Sequence, residues 1–168
     1  MSAATSQNPH GIFDRTTKGR SAGPVSVQVE RGTIRFFSHV LGANDPIHHD
    51  VEAARAAGYA DLVAPPSFFM AIEALAGGEF KRRALPTAAE LVKCDFRYLL
   101  HGDERYHYEA PIYAGDDVSF ATRIVDFYDK KGGAMEFVTL ESEITHAERG
   151  VLVRADRTLL HRLPAGAT

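Results

Sequence analysis

The spacing of hydrophobic residues changes along this chain, and the change separates a mixed first half from a strand-rich second half. Apolar and polar residues alternate over residues 25–29 (VSVQV), which predicts a short strand. Over residues 34–41 the apolar positions fall on one helical face, and Gly42 is placed to end that helix. Asp50 is placed to cap a short helix over residues 51–57.

A longer apolar helix is predicted to follow a pair of prolines at 65 and 66. It begins near Ser67 and runs to about Ala76, where Gly77 and Gly78 are expected to end it. Its buried stripe is predicted to consist of four side chains: Phe68, Phe69, Ile72 and Leu75.

From residue 90 onward the hydrophobic period becomes two, which is typical of strands. Five strands are predicted, at residues 91–100, 104–113, 118–128, 135–146 and 151–163. The links between them are short, polar and contain glycine, which favours antiparallel connections. We therefore predict an α+β protein in which one curved antiparallel sheet wraps around one long central helix.

The chain is expected to form a single domain over residues 25–168, preceded by a flexible N-terminal arm at residues 1–24. The arm is rich in Ser, Thr, Asn and Gly and has no apolar core typical of a secretory signal. No stretch of the sequence is apolar for the length needed to cross a bilayer, so we expect no membrane association and a cytoplasmic location.

Charge and cysteine content exclude several classes of function. The 19 basic and 22 acidic residues give a net charge of −3, so no strong positive field is present to hold nucleic acid. Cys94 is the only cysteine, which excludes an intramolecular disulfide and a paired-cysteine metal site. We expect Cys94 to be a small core residue within a strand.

The candidate chemistry lies in residues 42–50 (GANDPIHHD). This segment combines two histidines, His48 and His49, with the carboxylates of Asp45 and Asp50. Such groups can take up and release protons near neutral pH. We expect no metal here, because adjacent histidines on a loop point in different directions and no second ligand cluster has suitable spacing.

Three separated stretches of this sequence resemble the MaoC-like dehydratases and hydratases, and within them the FAS1-like dehydratase domains. Residues 42–50 are similar to the family motif Asp-x-Asn-Pro-(Leu/Ile)-His-x-Asp. Residues 53–68 resemble the entry to the family's central helix, and residues 101–118 resemble its central hairpin. The resemblance extends over roughly residues 25–163.

The resemblance implies a hot-dog fold and a hydro-lyase activity. The expected reaction is hydration of a trans-2-enoyl thioester, or the reverse dehydration of a 3-hydroxyacyl thioester, with the acyl group on CoA or acyl carrier protein. No cofactor is implied. The family also implies a homodimer, or a heterodimer with another hot-dog subunit, with active sites at the subunit interface.

Carried over residue by residue, the motif places its histidine at His48 and its final aspartate at Asp50. Asp45 occupies the motif's Asn position, and Ala43 occupies the position of the catalytic aspartate. We therefore predict His48 and Asp45 as catalytic residues. The sequence leaves open whether Asp45 replaces the missing carboxylate or serves only as a turn former.

Four further residues are predicted to bind the substrate: His49, Pro66, Ser67 and Phe68. The first backbone N–H groups of a helix lack intrahelical acceptors, so the start of the predicted helix at Ser67 can stabilise a negatively charged thioester oxygen. Phe68 can also belong to the core.

Two alternatives to an active hydratase remain open. Because Ala43 removes a carboxylate, the chain could be a catalytically incomplete, acyl-binding subunit of a hetero-oligomeric dehydratase. A hot-dog thioesterase is the third reading, and it would need a carboxylate on the central helix, where Glu73 is the only candidate.

Overall fold

The computed structural model describes Asn8 and residues 10–164. Its α-helices are α1 (Arg31–Leu41), α2 (Val51–Ala56), α3 (Phe69–Arg82) and α4 (Ala88–Leu91). Its strands are β1 (Ser21–Gln28), β2 (Leu99–Tyr108), β3 (Asp117–Lys130), β4 (Met135–His146) and β5 (Gly150–Arg162). Short 3-10 helices at Pro46–His48 and Pro66–Phe68 precede α2 and α3, respectively.

The five strands form one sheet in the order β1-β3-β4-β5-β2, and each neighbouring pair is antiparallel. Register shifts interrupt all four pairings, and such bulges bend and twist strands. Helix α3 packs on this sheet, so the predicted architecture of one antiparallel sheet around one long helix is confirmed.

The core lies between α3 and the sheet. From the helix it receives Phe69, Ile72, Ala76 and Phe80, which recur at three- and four-residue intervals and are at most 3% exposed. The strands contribute residues at alternate positions, including Val25, Phe120, Ile144 and Leu152.

The stripe predicted for α3 is partly wrong. Leu75 is 40% exposed, and the helix continues through Gly77 and Gly78 to Arg82. Helix-breaking residues raise the cost of a helix without forbidding it, and burial of Phe80 one turn beyond the glycines outweighs that cost.

The strand predicted at residues 91–100 is also wrong. The segment begins with α4, which Thr87 and Glu90 start with a reciprocal capping box, and β2 begins only at Leu99. Residues 101–103 do not form the predicted turn but lie inside β2, where its register against β5 shifts. Gly102 is required there, because a Cβ atom would lie 2.9 Å from the Thr158 carbonyl oxygen.

The first strand begins at Ser21, so the predicted end of the flexible arm at residue 24 falls inside β1. The preceding segment is packed against the fold. Phe13 is 5% exposed and stacks on the His161 ring at 3.9 Å between centroids. The prediction of a flexible arm is therefore corrected for residues 12–24, while residues 1–7 and 9 lie outside the described residues.

Cys94 does not lie in a strand, contrary to prediction, and it is only partly buried. Its Sγ atom lies 3.7 Å from Nε2 of His161. Burial, with the negative charges of Asp95 and Glu136, raises the pKa of the Cys94 thiol to about 11. The thiol is therefore protonated at neutral pH.

Candidate active site

A mostly apolar pocket of about 480 Å³ opens where three segments meet: the loop after α1, the start of α3 and the segment after β2. Its walls include Ile47, His48, Ala64, Pro66, Tyr108 and Ile112. A pocket of this size falls in the range that holds small organic ligands. The pocket therefore brings one of the predicted catalytic residues beside the predicted helix start.

Three helix caps fix the conformation of the loop that carries His48. Gly42 ends α1 in the left-handed conformation at φ 69°, which is the conformation glycine favours. Asp45 caps the 3-10 helix that contains His48, and Asp50 caps α2. These contacts confirm the predicted cap at Asp50 and place His48 in a short, well-defined turn.

The His48 ring is oriented by a hydrogen bond to the segment between α2 and α3. Its Nδ1 atom lies 2.7 Å from the carbonyl oxygen of Val63, an acceptor, so Nδ1 carries the proton in the neutral ring. Val63 is itself held, because its N–H donates to the carbonyl oxygen of Ile47. Nε2 of His48 is therefore left with its lone pair and can accept a proton.

The carboxylate of Asp45 caps the 3-10 helix that contains His48. The side chain is exposed, and its Oδ1 atom accepts a hydrogen bond from the N–H of Ile47 at 3.1 Å. The contacts found for the described residues do not join it to the His48 ring. The structure therefore favours the turn-forming reading of Asp45 over the catalytic one.

Glu109 is the only carboxylate among the residues that line this pocket in the described part of the chain. Its Oε1 atom accepts a hydrogen bond from Nη1 of Arg154 at 2.8 Å. This ion pair is about half exposed. Glu109 is thus already paired with a cation on β5.

His49 does not line the pocket. Its Nε2 atom lies 2.6 Å from the carbonyl oxygen of Ala43, so the ring closes the loop on itself. The two histidine rings are nearly perpendicular, with centroids 6.4 Å apart. The carbonyl of His49 also accepts from Nε of Arg35 on α1. His49 therefore positions the backbone at residue 43.

The start of α3 contributes backbone and one side chain to the pocket. Pro66 lines the pocket. The first hydrogen bond at this helix start joins the N–H of Phe68 to the Pro65 carbonyl, one residue after Ser67. Phe68 is fully buried and packs edge-on against Phe37. Of the three predicted positions, Pro66 borders the pocket, Ser67 is partly exposed beside it, and Phe68 belongs to the core.

Tyr108 is a pocket residue that the sequence patterns did not single out. Its hydroxyl donates to the carbonyl of Pro66, so the side chain crosses from the end of β2 to the start of α3. Burial raises the pKa of the phenol, and the charge of Glu104 adds to this shift. The signal in the sequence was the alternation of Tyr106 and Tyr108, which places both side chains on one face of β2.

A second pocket of similar volume is lined by residues of all five strands. Its charged residues are paired with one another, as in the ion pairs of Arg123 with Glu141 and of Arg154 with Glu143. His48 and the start of α3 are not among its walls. The pocket beside His48 therefore remains the candidate active site.

Within the described residues, no three His, Cys, Asp or Glu side chains lie close enough together to hold a metal ion. In the same part of the chain, no helix combines the length and the apolar character required for a membrane span.

Comparison with known proteins connects this geometry to a family. Residues 16–155 match the model of the FAS1-like dehydratase domain region. A UPF0336 protein of Leifsonia xyli subsp. xyli is 38% identical over 145 residues, which cover 86% of this chain and 92% of that protein.

Two solved structures share the fold at lower identity. The HadBC (3R-hydroxyacyl-ACP dehydratase) complex of Mycobacterium tuberculosis superposes with a TM-score of 0.66 at 21% identity, covering 86% of this chain and 96% of that one. A MaoC-like dehydratase of Rhodospirillum rubrum gives 0.65 at 20% identity, covering 92% and 99%. These likenesses confirm the predicted hot-dog fold. The family match over most of the sequence shows that this chain belongs to the FAS1-like dehydratase domain family.

Proposed function

We propose that this protein hydrates trans-2-enoyl thioesters, or dehydrates 3-hydroxyacyl thioesters, in the pocket beside His48. The observation that carries the proposal is the orientation of that ring. Its Nδ1–H is held by the Val63 carbonyl, so Nε2 is available as a base in an apolar pocket next to a helix start.

Hydration needs two proton movements and one stabilised oxygen. A base must take a proton from water as its oxygen bonds to the β-carbon, and an acid must deliver a proton to the α-carbon. Negative charge develops on the thioester oxygen between these events. In the proposed mechanism His48 Nε2 takes the proton from water, and backbone N–H groups at the start of α3 stabilise the oxygen.

Ala43 leaves the second proton-transferring group unassigned within this chain. Asp45 caps a turn and Glu109 is paired with Arg154, so neither stands free beside His48. This specific observation favours a second candidate function, that of an acyl-binding subunit completed by a partner which supplies the missing carboxylate. The HadBC dehydratase, whose solved form is a complex, is a precedent for assembly within this fold.

The proposed partner is a second hot-dog subunit that pairs along β2. This strand is the last of the sheet, bonded to β5 on one side only. Unpaired edges favour addition of another strand, and Leu100 and Tyr108 on β2 are 47% and 45% exposed. A homodimer and a heterodimer both satisfy this geometry. We propose a cytoplasmic location. We also propose that the acyl group is carried on either CoA or acyl carrier protein.

A thioesterase is disfavoured by the state of Glu73. Both oxygens of this carboxylate accept hydrogen bonds from Arg157, each at 2.7 Å. A carboxylate bound in this way is not free to activate water.

The test is the rate of trans-2-butenoyl-CoA hydration, which is monitored through the loss of the enoyl thioester absorbance. We expect His48→Ala to lower kcat/KM by about 10²- to 10⁴-fold, the contribution typical of a general base. His10→Ala is the matched control, because His10 is an exposed histidine in the N-terminal segment that is not among the residues lining the pocket. An unchanged rate in His48→Ala would refute the assignment, and release of free CoA would indicate the thioesterase.

The incomplete-subunit alternative predicts a different result for the purified chain. Its rate would be near background alone and would appear only after mixing with the second hot-dog subunit that co-purifies with it. Full activity of the isolated chain would exclude this alternative.

A further inference from the structure

Three side-chain contacts in succession connect β2 to α3, starting at the pocket and leading away from it. The Tyr108 hydroxyl donates to the carbonyl of Pro66, at the start of the helix. The Tyr106 hydroxyl lies 3.3 Å from Sδ of Met70, one turn further along. Glu104 then meets Arg157, whose guanidinium also binds Glu73 another turn along α3.

The regularity of these contacts follows from the geometry of the two elements. Side chains two residues apart share a face of a strand and are about 6.6 Å apart. Residues three or four apart share a face of a helix and advance by about 5–6 Å. Glu104, Tyr106 and Tyr108 therefore stay level with successive turns of α3. An acyl chain that left the pocket between β2 and α3 would meet them in order.

The third contact differs from the first two because it is ionic. Arg157 donates to both oxygens of Glu73 and, through Nε, to Glu104 at 2.8 Å. Its side chain is 12% exposed, and those of Glu73 and Glu104 are 28% and 23% exposed. Burial acts to lower the pKa of Arg157, but the bonds and charges of Glu73 and Glu104 outweigh it and raise that pKa. Arg157 is therefore charged at neutral pH.

A smaller apolar cavity of about 190 Å³ lies on the far side of this cluster. Arg157 and Glu73 form part of its wall, and the remainder includes Gly77, Phe80, Leu140 and Leu159. A Cβ atom added at Gly77 would meet no atom within 4 Å. Along the chain the cluster residue Glu73 thus lies between Pro66, which lines the pocket beside His48, and Gly77, which lines this smaller cavity.

We infer that the Arg157–Glu73–Glu104 cluster sets the upper limit on acyl chain length, which makes short and medium-chain thioesters the substrate class. The inference rests on the proposed function. An alkyl chain that advances past Met70 must either displace these ion pairs or lie against partly buried charges, and both are unfavourable. Pro66 and Glu73 are seven residues apart along the helical segment, so an acyl chain that follows this segment from the pocket would reach the cluster after about 10 Å.

The test measures equilibrium binding of saturated butanoyl-, octanoyl- and hexadecanoyl-CoA by calorimetry, which does not depend on turnover. For the wild type we expect affinity to rise from butanoyl to octanoyl and not to rise further for hexadecanoyl. In Glu73→Gln/Glu104→Gln/Arg157→Met the charges are gone and the shapes are similar. We expect this variant to bind hexadecanoyl-CoA at least tenfold more tightly than the wild type does, with butanoyl-CoA affinity unchanged.

The control variant removes an exposed ion pair elsewhere on the sheet. Arg123→Met/Glu141→Gln neutralises an exposed pair between β3 and β4 that is not part of the pocket beside His48. It is expected to leave the chain-length profile unchanged. A gain for hexadecanoyl-CoA in this control would attribute the effect to surface charge and overturn the inference.

Gly77→Leu provides a test that does not require the charged cluster to be altered. A leucine here fills the far cavity, which the acyl chain does not reach if the cluster blocks it. We expect no change in the wild-type profile and, in the triple variant, loss of the gain for hexadecanoyl-CoA. Weaker binding of octanoyl- or hexadecanoyl-CoA by the single variant would overturn the inference, even if the triple variant failed to fold.

The outcomes separate this inference from the proposed function. Failure of butanoyl-CoA to bind the wild type would refute the proposed function itself. Binding of butanoyl-CoA with a chain-length profile that is the same in the wild type and the folded triple variant would refute only the role of the cluster.

Discussion

Positions 43 and 45 are where this chain departs from the family motif, and at position 43 the departure removes a carboxylate. The backbone there is held on both sides, since Ala43 N–H donates to the Ser38 carbonyl and its own carbonyl binds His49. The side chain, by contrast, ends at a methyl group. The backbone at position 43 is therefore fixed, while its side chain offers no group that can transfer a proton.

His48 and Asp45 show what residue patterns can and cannot predict. The motif located His48, and the structure places it in the pocket with one nitrogen free. The same motif could not determine the direction of Asp45, because an aspartate before Pro46 has a competing local role. Its carboxylate satisfies the N–H of Ile47, two residues later.

At the residue scale, stability depends on a buried carboxylate remote from the site. Glu136 is fully buried, and its Oε1 atom accepts hydrogen bonds from the backbone N–H groups of Ile12 and Phe13 and from Nδ1 of His161. Nε2 of His161 accepts from the N–H of Asp95, which assigns the proton to Nδ1. This carboxylate thus joins the N-terminal segment to β4 and β5.

We predict that Glu136→Ala lowers the free energy of unfolding by about 3–5 kcal/mol, because three buried donors lose their acceptor. Urea denaturation measures this difference. The matched control is Glu141→Ala, which removes an exposed glutamate paired with Arg123 and should cost no more than about 1 kcal/mol. Equal losses in the two variants would contradict the role assigned to Glu136.

At the scale of elements, local signals were reliable where they satisfied backbone groups. Gly42 ends α1 and Asp50 starts α2 as predicted, because each supplies a hydrogen-bond partner to backbone groups at a helix end that lack one. The capping box of Thr87 and Glu90 carried the same kind of signal for α4. The alternating pattern over residues 91–100 predicts a strand instead, and the tertiary packing does not support it.

Breaker signals were less reliable than capping signals. Gly77 and Gly78 lie inside α3, although their propensity predicts a helix end. Propensity is a bias of about 1 kcal/mol per glycine, and the burial of Phe80 opposes it. Similarly, the apolar face predicted for α1 included Val40 and Leu41, which are 65% and 50% exposed.

Alanine is expected to have opposite effects at a glycine inside a helix and at a glycine in the left-handed conformation. Gly78 has helical geometry, is exposed and has room for a Cβ atom, so Gly78→Ala should raise the free energy of unfolding by about 0.5–1 kcal/mol. Gly42 has φ 69°, so Gly42→Ala should lower it by about 1–2 kcal/mol. Urea denaturation of both variants checks this pair, and a stabilised Gly42→Ala would contradict the capping role.

At the scale of the whole molecule, the fold was the most predictable property. Strands β3, β4 and β5 fell within two residues of their predicted bounds, because long alternating segments define a half-buried sheet with little ambiguity. The pocket was less predictable, because Tyr108 and the Val63 carbonyl come from segments remote in sequence. Only the folded arrangement brings them to His48.

The incomplete-subunit alternative proposed above also fits the arrangement of the whole molecule. The pocket beside His48 lies next to β2, the sheet edge along which we propose that a second subunit pairs. A partner at that edge would cover the exposed Tyr108 and stand close enough to the pocket to contribute a carboxylate. The vacancy at Ala43 and the open edge of the sheet are thus consistent with one assembly.

The most direct test of this account is the rate of trans-2-butenoyl-CoA hydration by Ala43→Asp, measured beside the wild type and Ala43→Asp/His48→Ala. We predict that Ala43→Asp is about 10²-fold faster than the wild type, since it restores a proton-transferring group beside His48. The added His48→Ala substitution should abolish the gain. Equal rates for Ala43→Asp and the wild type, or a gain that persists without His48, would contradict the account.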